Sequence, residues 1–319
     1  MPPEGEKAVS GFLPVSGGHS LFWQRHGQPA GEPVLILHGG PGSGSSASMP
    51  GLFDPACWQI WQFDQRGCGQ SSPHAGDGVA ALENNTTQDL IADIEALRHL
   101  AGVERWAIVA GSWGVTLALA YAQAHPTRVT GLVLYAVATT TRREIRWMTD
   151  GVGRYLPEAH AAFCAHVPEV GHPDQVLGGY LERLRHPDPT VHDAAAIAWT
   201  DWEEAVLSAE PGHVRSVRFD DPRYRLGFAR LVVHYWHHAA WLAEDALLAG
   251  TAQISHLPAF LVHGRLDLGS PLETAYRLAL AWPAARLVVV ERAGHDRQNP
   301  GLRDATRQAI AELHALLAG

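Results

Sequence analysis

The chain of 319 residues carries one lysine, Lys7, against 23 arginines. Lys7 falls in an N-terminal tail expected to be flexible. Chemistry that needs a buried lysine, such as a Schiff base or the phosphate-gripping lysine of a P-loop, is therefore disfavoured. Cysteine is scarce as well: Cys57, Cys68 and Cys164 are widely spaced and form no C-x-x-C pair. This supports neither a disulfide framework nor a cysteine zinc site. Three reduced thiols are expected, and Cys68, in a glycine-flanked loop, is the one whose exposure needs checking. Excess positive charge is also missing. The formal net charge is −9 and the pI about 6.1, the wrong sign for a sequence-independent nucleic-acid binder. No apolar run approaches the roughly 18 residues of a membrane span, and mean hydropathy is −0.09. The N-terminal MPPEGEKAVSGFLPVSGG lacks the basic region and apolar stretch of a signal peptide. A cytoplasmic protein with neither a membrane nor a nucleic-acid partner is the resulting expectation; the sequence does not give the oligomeric state.

What is present is a core. Hydrophobic residues make up 46% and charged residues 18%, the composition of a folded chain. Short apolar runs alternate with helical patterns over the first 140 residues. Strands are predicted at Val34–Leu37, Trp58–Phe63, Trp106–Val109 and Val129–Tyr135, with helices over Thr87–Leu100 and Val115–Ala124. Residues 141–255 hold few strand-like runs and several amphipathic helical patterns rich in His and Trp. Alternation resumes with strands at Ala259–Val262 and Arg286–Val290 and helices near 271–282 and 301–317. Strands alternating with helices imply an α/β fold with a mostly parallel sheet. The predicted organisation is a core of 1–140 and 256–319, split by a helical insertion over 141–255.

One stretch, Ala107-Ile108-Val109-Ala110-Gly111-Ser112-Trp113-Gly114-Val115, runs strand, serine, helix. A nucleophile elbow needs this context: a sharp turn lifts the serine oxygen above the sheet, and the next backbone N–H faces the developing oxyanion. Small residues are needed two before and two after the serine, here Ala110 and Gly114. A serine needs a base and the base an orienting acid, in the chain order Ser, Asp or Glu, His. Asp267 follows the strand at 259–262, and His295 follows the strand at 286–290. Both fall beyond carboxyl ends of strands, where catalytic groups gather on an open parallel sheet. Among 19 histidines a lone one means little; one placed in this order and position is specific. Asp296 is the competing acid, but an aspartate adjacent to the histidine would have difficulty reaching its Nδ1. Glycines in His38-Gly39-Gly40-Pro41-Gly42 let backbone N–H groups approach a substrate carbonyl, so the N–H groups of Gly40 and Trp113 are the expected oxyanion donors.

Two other readings compete. Gly42-Ser43-Gly44-Ser45-Ser46-Ala47 matches G-x-G-x-x-A, and Asp64 ends the next strand about 20 residues on, as in a nucleotide-dependent oxidoreductase. Met49-Pro50-Gly51 and Asp54-Pro55 break the helix that should open there. His234, His237 and His238 have helical spacing, but with no H-E-x-x-H and no carboxylate between them a packed aromatic–histidine face is expected instead of a metal site.

With His38–Gly42 (HGGPG), Asp64–Ser71 (DQRGCGQS), Gly111–Gly114, Gly264–Asp267 and Gly294-His295 in place, the chain resembles the proline iminopeptidase (prolyl aminopeptidase) family of α/β-hydrolase serine peptidases. The resemblance implies an eight-stranded sheet with helices on both faces, a helical cap, no cofactor, no metal, and release of an N-terminal proline through an acyl-enzyme. It implies a small peptide, amide or ester as substrate, with Gly39 beside it. A free N-terminus needs carboxylates nearby, because an unpaired buried charge is costly. The family run W-x-x-W-E is matched by Trp199, Trp202 and Glu203, which makes Glu203 the amine anchor and Glu204 a poorer one. A second family acid would fall at 232, where this chain has Val232. One carboxylate beside an apolar wall is a different site from two, so a family relative acting on another small amide or ester stands as the alternative.

Overall fold

The computed structural model describes residues 8–168, 175–210 and 213–318; Lys7 and its tail lie outside them. Eight strands form one sheet: β1 (Val9–Pro14), β2 (Ser20–Gly27), β3 (Glu32–Leu37), β4 (Trp58–Phe63), β5 (Trp106–Ser112), β6 (Val129–Val137), β7 (Ala259–Gly264) and β8 (Ala285–Val290). Their spatial order is β1-β2-β4-β3-β5-β6-β7-β8. The first two pair antiparallel, as do β2 and β4, and every later pairing is parallel.

The inner strands read as continuous apolar runs because both faces are covered. Alternate residues divide between two cores. Leu35, Leu37, Ile108, Ala110, Leu132 and Leu134 pack on one side against helices α1 (Thr87–Ala101) and α2 (Trp113–Ala124). Val34, Ile36, Ala107, Val109 and Val133 pack on the other against the last helix, α10 (Pro300–Ala318). Between β6 and β7 come α3 (Arg142–Thr149), α4 (Pro157–Ala165), α5 (Val176–Arg185), α6 (Pro189–Ser208), α7 (Pro222–His237) and the single turn α8 (Ala246–Ala249). The helix α9 (Leu272–Ala281) lies between β7 and β8.

This helical insertion has its own core. Phe163 stacks on Tyr180 at 4.7 Å and on Trp202 at 5.3 Å, with Trp199 edge-on to both Phe163 and Tyr180. Its two long helices start alike. Asp188 accepts from Thr190 N–H at 2.9 Å and Asp221 from Arg223 N–H at 2.9 Å, each followed by proline at the first helical position. Aspartate satisfies an N–H that has no intrahelical partner, and proline has none to satisfy.

Two points go beyond the sequence reading. The hairpin β1–β2 was not predicted; much of it is solvent-facing and polar, so its apolar pattern is weak. Cys68 is buried, with its thiol 3.2 Å from the Gln65 carbonyl oxygen, and burial holds its pKa well above the usual thiol value. Among the described residues no helix is long and apolar enough to cross a membrane.

Candidate active site

The carboxyl edge of the sheet collects the predicted residues. Ser112 ends β5 with φ 57° and ψ −129°, a strained backbone for a residue with a side chain. The chain turns there directly into α2, and the turn is possible only because its neighbours are small. A Cβ on Gly111 would fall 2.1 Å from the Tyr135 ring, and one on Gly114 would fall 2.5 Å from the Leu37 carbonyl oxygen. The obstacle at 114 is backbone in the central strand β3, which cannot swing aside. Gly114→Ala is expected to lower stability by about 1–3 kcal/mol, measurable as a reduced denaturant midpoint at unchanged slope.

His295, five residues beyond β8, has its Nε2 3.0 Å from Ser112 Oγ and its Nδ1 2.9 Å from Asp267 Oδ2. Asp267 is buried, and its Oδ1 accepts from Ser270 N–H at 2.6 Å. Behind it His263 accepts from Val137 N–H at 2.9 Å through Nδ1 and donates to the Ser270 carbonyl at 2.7 Å through Nε2. These bonds fix a neutral tautomer, and burial keeps the His263 pKa low. Burial pushes Asp267 up, but the attraction and hydrogen bond of His295 outweigh it and hold the carboxyl below its usual value. For His295, burial pushes down; the Asp267 charge and hydrogen bond, with Glu210 and Asp296 nearby, outweigh it and raise the imidazole pKa. Asp296 does not displace Asp267. Its Oδ1 accepts from Gln298 N–H at 2.8 Å, and its Oδ2 lies 3.7 Å from His213 Nδ1.

The loop after β3 is bolted in place by residues left without a role in the sequence reading. His38 donates through Nδ1 to the Gly39 carbonyl at 2.9 Å and accepts at Nε2 from Gln65 N–H at 3.1 Å. The Gln65 amide donates to the His38 carbonyl at 3.0 Å and accepts from the Trp113 indole N–H at 3.0 Å. One buried side chain thus ties the two expected oxyanion segments together. Gly39 packs so tightly that a Cβ there would lie 3.0 Å from Ser112 Cβ, and Gly40 has φ +108°. Trp113 opens α2, where the first N–H groups have no intrahelical acceptor.

Asp64 is consumed by the same scaffold. Its two oxygens accept from Ser45 N–H and Gln70 N–H, each at 2.7 Å, so neither is free for a ribose. No α-helix follows Gly42-Ser43-Gly44, only the short 3-10 turn Pro50–Leu52. His234 bonds the Asn85 carbonyl at 3.0 Å, and His238 bonds the His234 carbonyl and stacks on Trp241 at 4.5 Å. That is a packed face.

A cleft of about 300 Å³ lies over Ser112, with a second lobe of about 90 Å³; both are lined by Gly40, Ser112, Glu203 and His295, and Gly39 lines the wider one. The smaller lobe is walled by Ile145, Met148, Val206, Leu207 and Trp236. Glu203 reaches it from α6. Its Oε1 accepts the Trp199 indole N–H at 2.6 Å, and burial pushes its pKa up to about 7 against the pull of that bond and of His295.

Three substrate-contact expectations change. Trp199 and Trp202 are buried in the insertion core and line neither lobe. Trp199 orients Glu203, while Trp202 donates to the Met148 carbonyl at 3.0 Å. Val232 is also buried in that core, behind the cleft wall. Glu204 lines the wider lobe but is engaged by His213 at 3.0 Å and Ser216 N–H at 3.3 Å. One residue was missed altogether: Glu210, just beyond α6, accepts from His295 N–H at 2.6 Å. Its partner is a backbone group, so no motif reveals it.

Comparison with known proteins agrees with this geometry. Residues 32–298 match the family model described as alpha/beta hydrolase fold. A probable proline iminopeptidase of Streptomyces coelicolor is 43% identical over 303 residues, 94% of this chain and 93% of that protein. The proline iminopeptidase of Neisseria meningitidis serogroup A is 42% identical, covering 95% and 96%. Among solved structures, a Mycobacterium smegmatis proline iminopeptidase superposes with a TM-score of 0.64 at 21% identity, covering 98% of this chain and all of that one. A putative aryl esterase from Burkholderia cenocepacia gives 0.67 at 16%, over 98% and 100%; at these identities the two structures speak for the fold. The chain is a hydrolase of the α/β fold and belongs to the proline iminopeptidase family.

Proposed function

We propose that the chain is a serine aminopeptidase that releases an N-terminal proline, or a residue of similar size, from short peptides and amides. The observation that carries this reading is Glu203: a carboxylate in the same small, apolar lobe as the Ser112 hydroxyl. A mainly apolar lobe of this size suits a pyrrolidine ring, and a desolvated carboxylate beside it suits the ring's ammonium.

The steps follow from the hydrogen-bonded chain. Ser112 Oγ attacks the scissile carbonyl as His295 Nε2 takes its proton. Asp267 holds the Nδ1–H tautomer and stabilises the imidazolium. The N–H groups of Trp113 and Gly40 receive the oxyanion; removing one such donor typically costs about 10²–10³ in rate. His295 then protonates the leaving amine, and water repeats the sequence on the acyl-enzyme. Residues 141–255 act in this reading as a cap that supplies the amine anchor.

The apolar wall of the smaller lobe favours a second reading, in which that lobe takes the acyl part of another small amide or ester. A panel of proline amides, other aminoacyl amides and simple acyl esters separates the two. Preference for proline amides is the expected outcome. Turnover of uncharged esters alone would replace the aminopeptidase with the second reading.

A further inference from the structure

Glu210 has no part in the steps above, yet it touches the loop that carries the base. Its Oε2 accepts from His295 N–H at 2.6 Å and from Asp296 N–H at 3.2 Å. Gly294 is bare because of it: a Cβ there would fall 2.0 Å from Glu210 Cδ. The other carboxylate oxygen, Oε1, is buried with no hydrogen-bond partner among the described residues. An unpartnered buried carboxylate oxygen is costly, so its retention calls for an offsetting role. The nearby cation-forming group is the imidazole of His295.

We propose that Glu210 is a positioning residue. It clamps the His295 loop by two backbone N–H groups and holds a negative charge against the imidazolium, so that the base is assembled only when the end of α6 is seated on the core. Glu203 lies seven residues earlier, within α6, which ends at Ser208 two residues before Glu210. The helix that presents the amine anchor to the cleft thus runs directly into the segment that grips the backbone of the general base. Docking of a substrate ammonium on Glu203 and placement of His295 are coupled through α6; this coupling rests on the reading of Glu203 given above, whereas the clamp does not.

The charged and titratable groups around the imidazole are Asp267 from the loop after β7, Glu210 from the segment just beyond α6, Asp296 from its own loop, Glu203 from within α6, and His263 at the end of β7. His213 faces Asp296 at 3.7 Å. Asp267 carries the direct hydrogen bond and remains in every variant. Removing the Glu210 charge destabilises the imidazolium, so the imidazole becomes neutral at lower pH. The acid limb of kcat/KM must then move to lower pH.

The test uses Glu210→Gln and Glu210→Ala in the full chain. Both are assayed from pH 5 to 9 on a proline amide and on p-nitrophenyl acetate, which has no amine. Glu210→Gln keeps an oxygen for the two N–H groups and is expected to hold kcat within about threefold of wild type while the acid limb moves down by about half a pH unit. Glu210→Ala loses the clamp and is expected to lower kcat about tenfold on both substrates with little change in KM. The low-field Nδ1–H resonance of His295, followed against pH, reads the shift in Glu210→Gln without any substrate, and also decides the matter if the alanine variant does not fold. An unmoved acid limb and resonance in Glu210→Gln would overturn the proposal. So would an alanine variant that loses thermal stability alone, or a rate loss confined to the amine substrate. The ester arm keeps failure of the clamp separate from failure of the aminopeptidase reading, which shows only on the proline amide.

Discussion

Ser112→Ala is expected to lower kcat on any substrate the chain turns over by about 10⁴-fold or more while the thermal midpoint stays within a degree or two. The magnitude follows from the role of the hydroxyl as the attacking atom: when a member of such a hydrogen-bonded set is removed, only catalysis by the oxyanion donors and by binding is left. The small stability effect follows from the local backbone. Alanine at 112 keeps the Cβ that the turn already accommodates at φ 57°, so the stored strain is unchanged. What disappears is one hydrogen bond at 3.0 Å to His295, whose Nδ1 partner and backbone N–H partner remain. The check is a steady-state assay beside a thermal melt. Wild-type-like turnover in a correctly folded variant would remove the serine mechanism. A melt lowered by many degrees would mean that the hydroxyl is structural.

The parallel half of this fold was legible because physics writes it in a long-range pattern. The runs VLIL and WAIV are continuous because alternate residues enter two different cores, and their ends fall on one edge because the pairings are parallel. The serine, the acid and the base could therefore be found from strand ends alone, without any contact being known. What failed shares a single cause. A motif names residue types but not the direction of a side chain. Trp199 and Trp202 fall in the expected frame, yet helix periodicity turns them into the insertion core and leaves only Glu203 of that run in both lobes. Val232 occupies the frame of a missing acid, but its side chain packs inward, so the expectation of an altered pocket wall there does not follow from its contacts. Gln65 and Glu210 escaped assignment for the complementary reason. Glu210 acts on backbone groups, and Gln65 bridges a backbone carbonyl and the Trp113 indole; backbone groups belong to every residue, and no sequence distinguishes them.

Glu203→Gln is the second large effect, and it discriminates between substrates. The variant keeps the size of the side chain and an oxygen for the Trp199 indole N–H, so the lobe retains its shape. It removes the charge that faces a substrate ammonium. A charge-assisted hydrogen bond is worth about 1.5–3 kcal/mol, so kcat/KM for a proline amide is expected to fall by about 10²-fold, mostly through KM. An N-acetylated amide or a simple ester should be affected less than about twofold. The pH dependence has a definite sign. With its pKa pushed up to about 7, Glu203 is neutral below that value in the free enzyme, so wild-type KM for amine substrates must rise as pH falls through 7. The glutamine variant has no such group, and its KM should be flat over that window. At the alkaline end the defect should shrink, because an α-amino group of pKa about 8 becomes neutral and no longer needs a counter-charge. Equal losses on free and blocked substrates, or a KM slope that survives in the variant, would show that Glu203 is not the anchor.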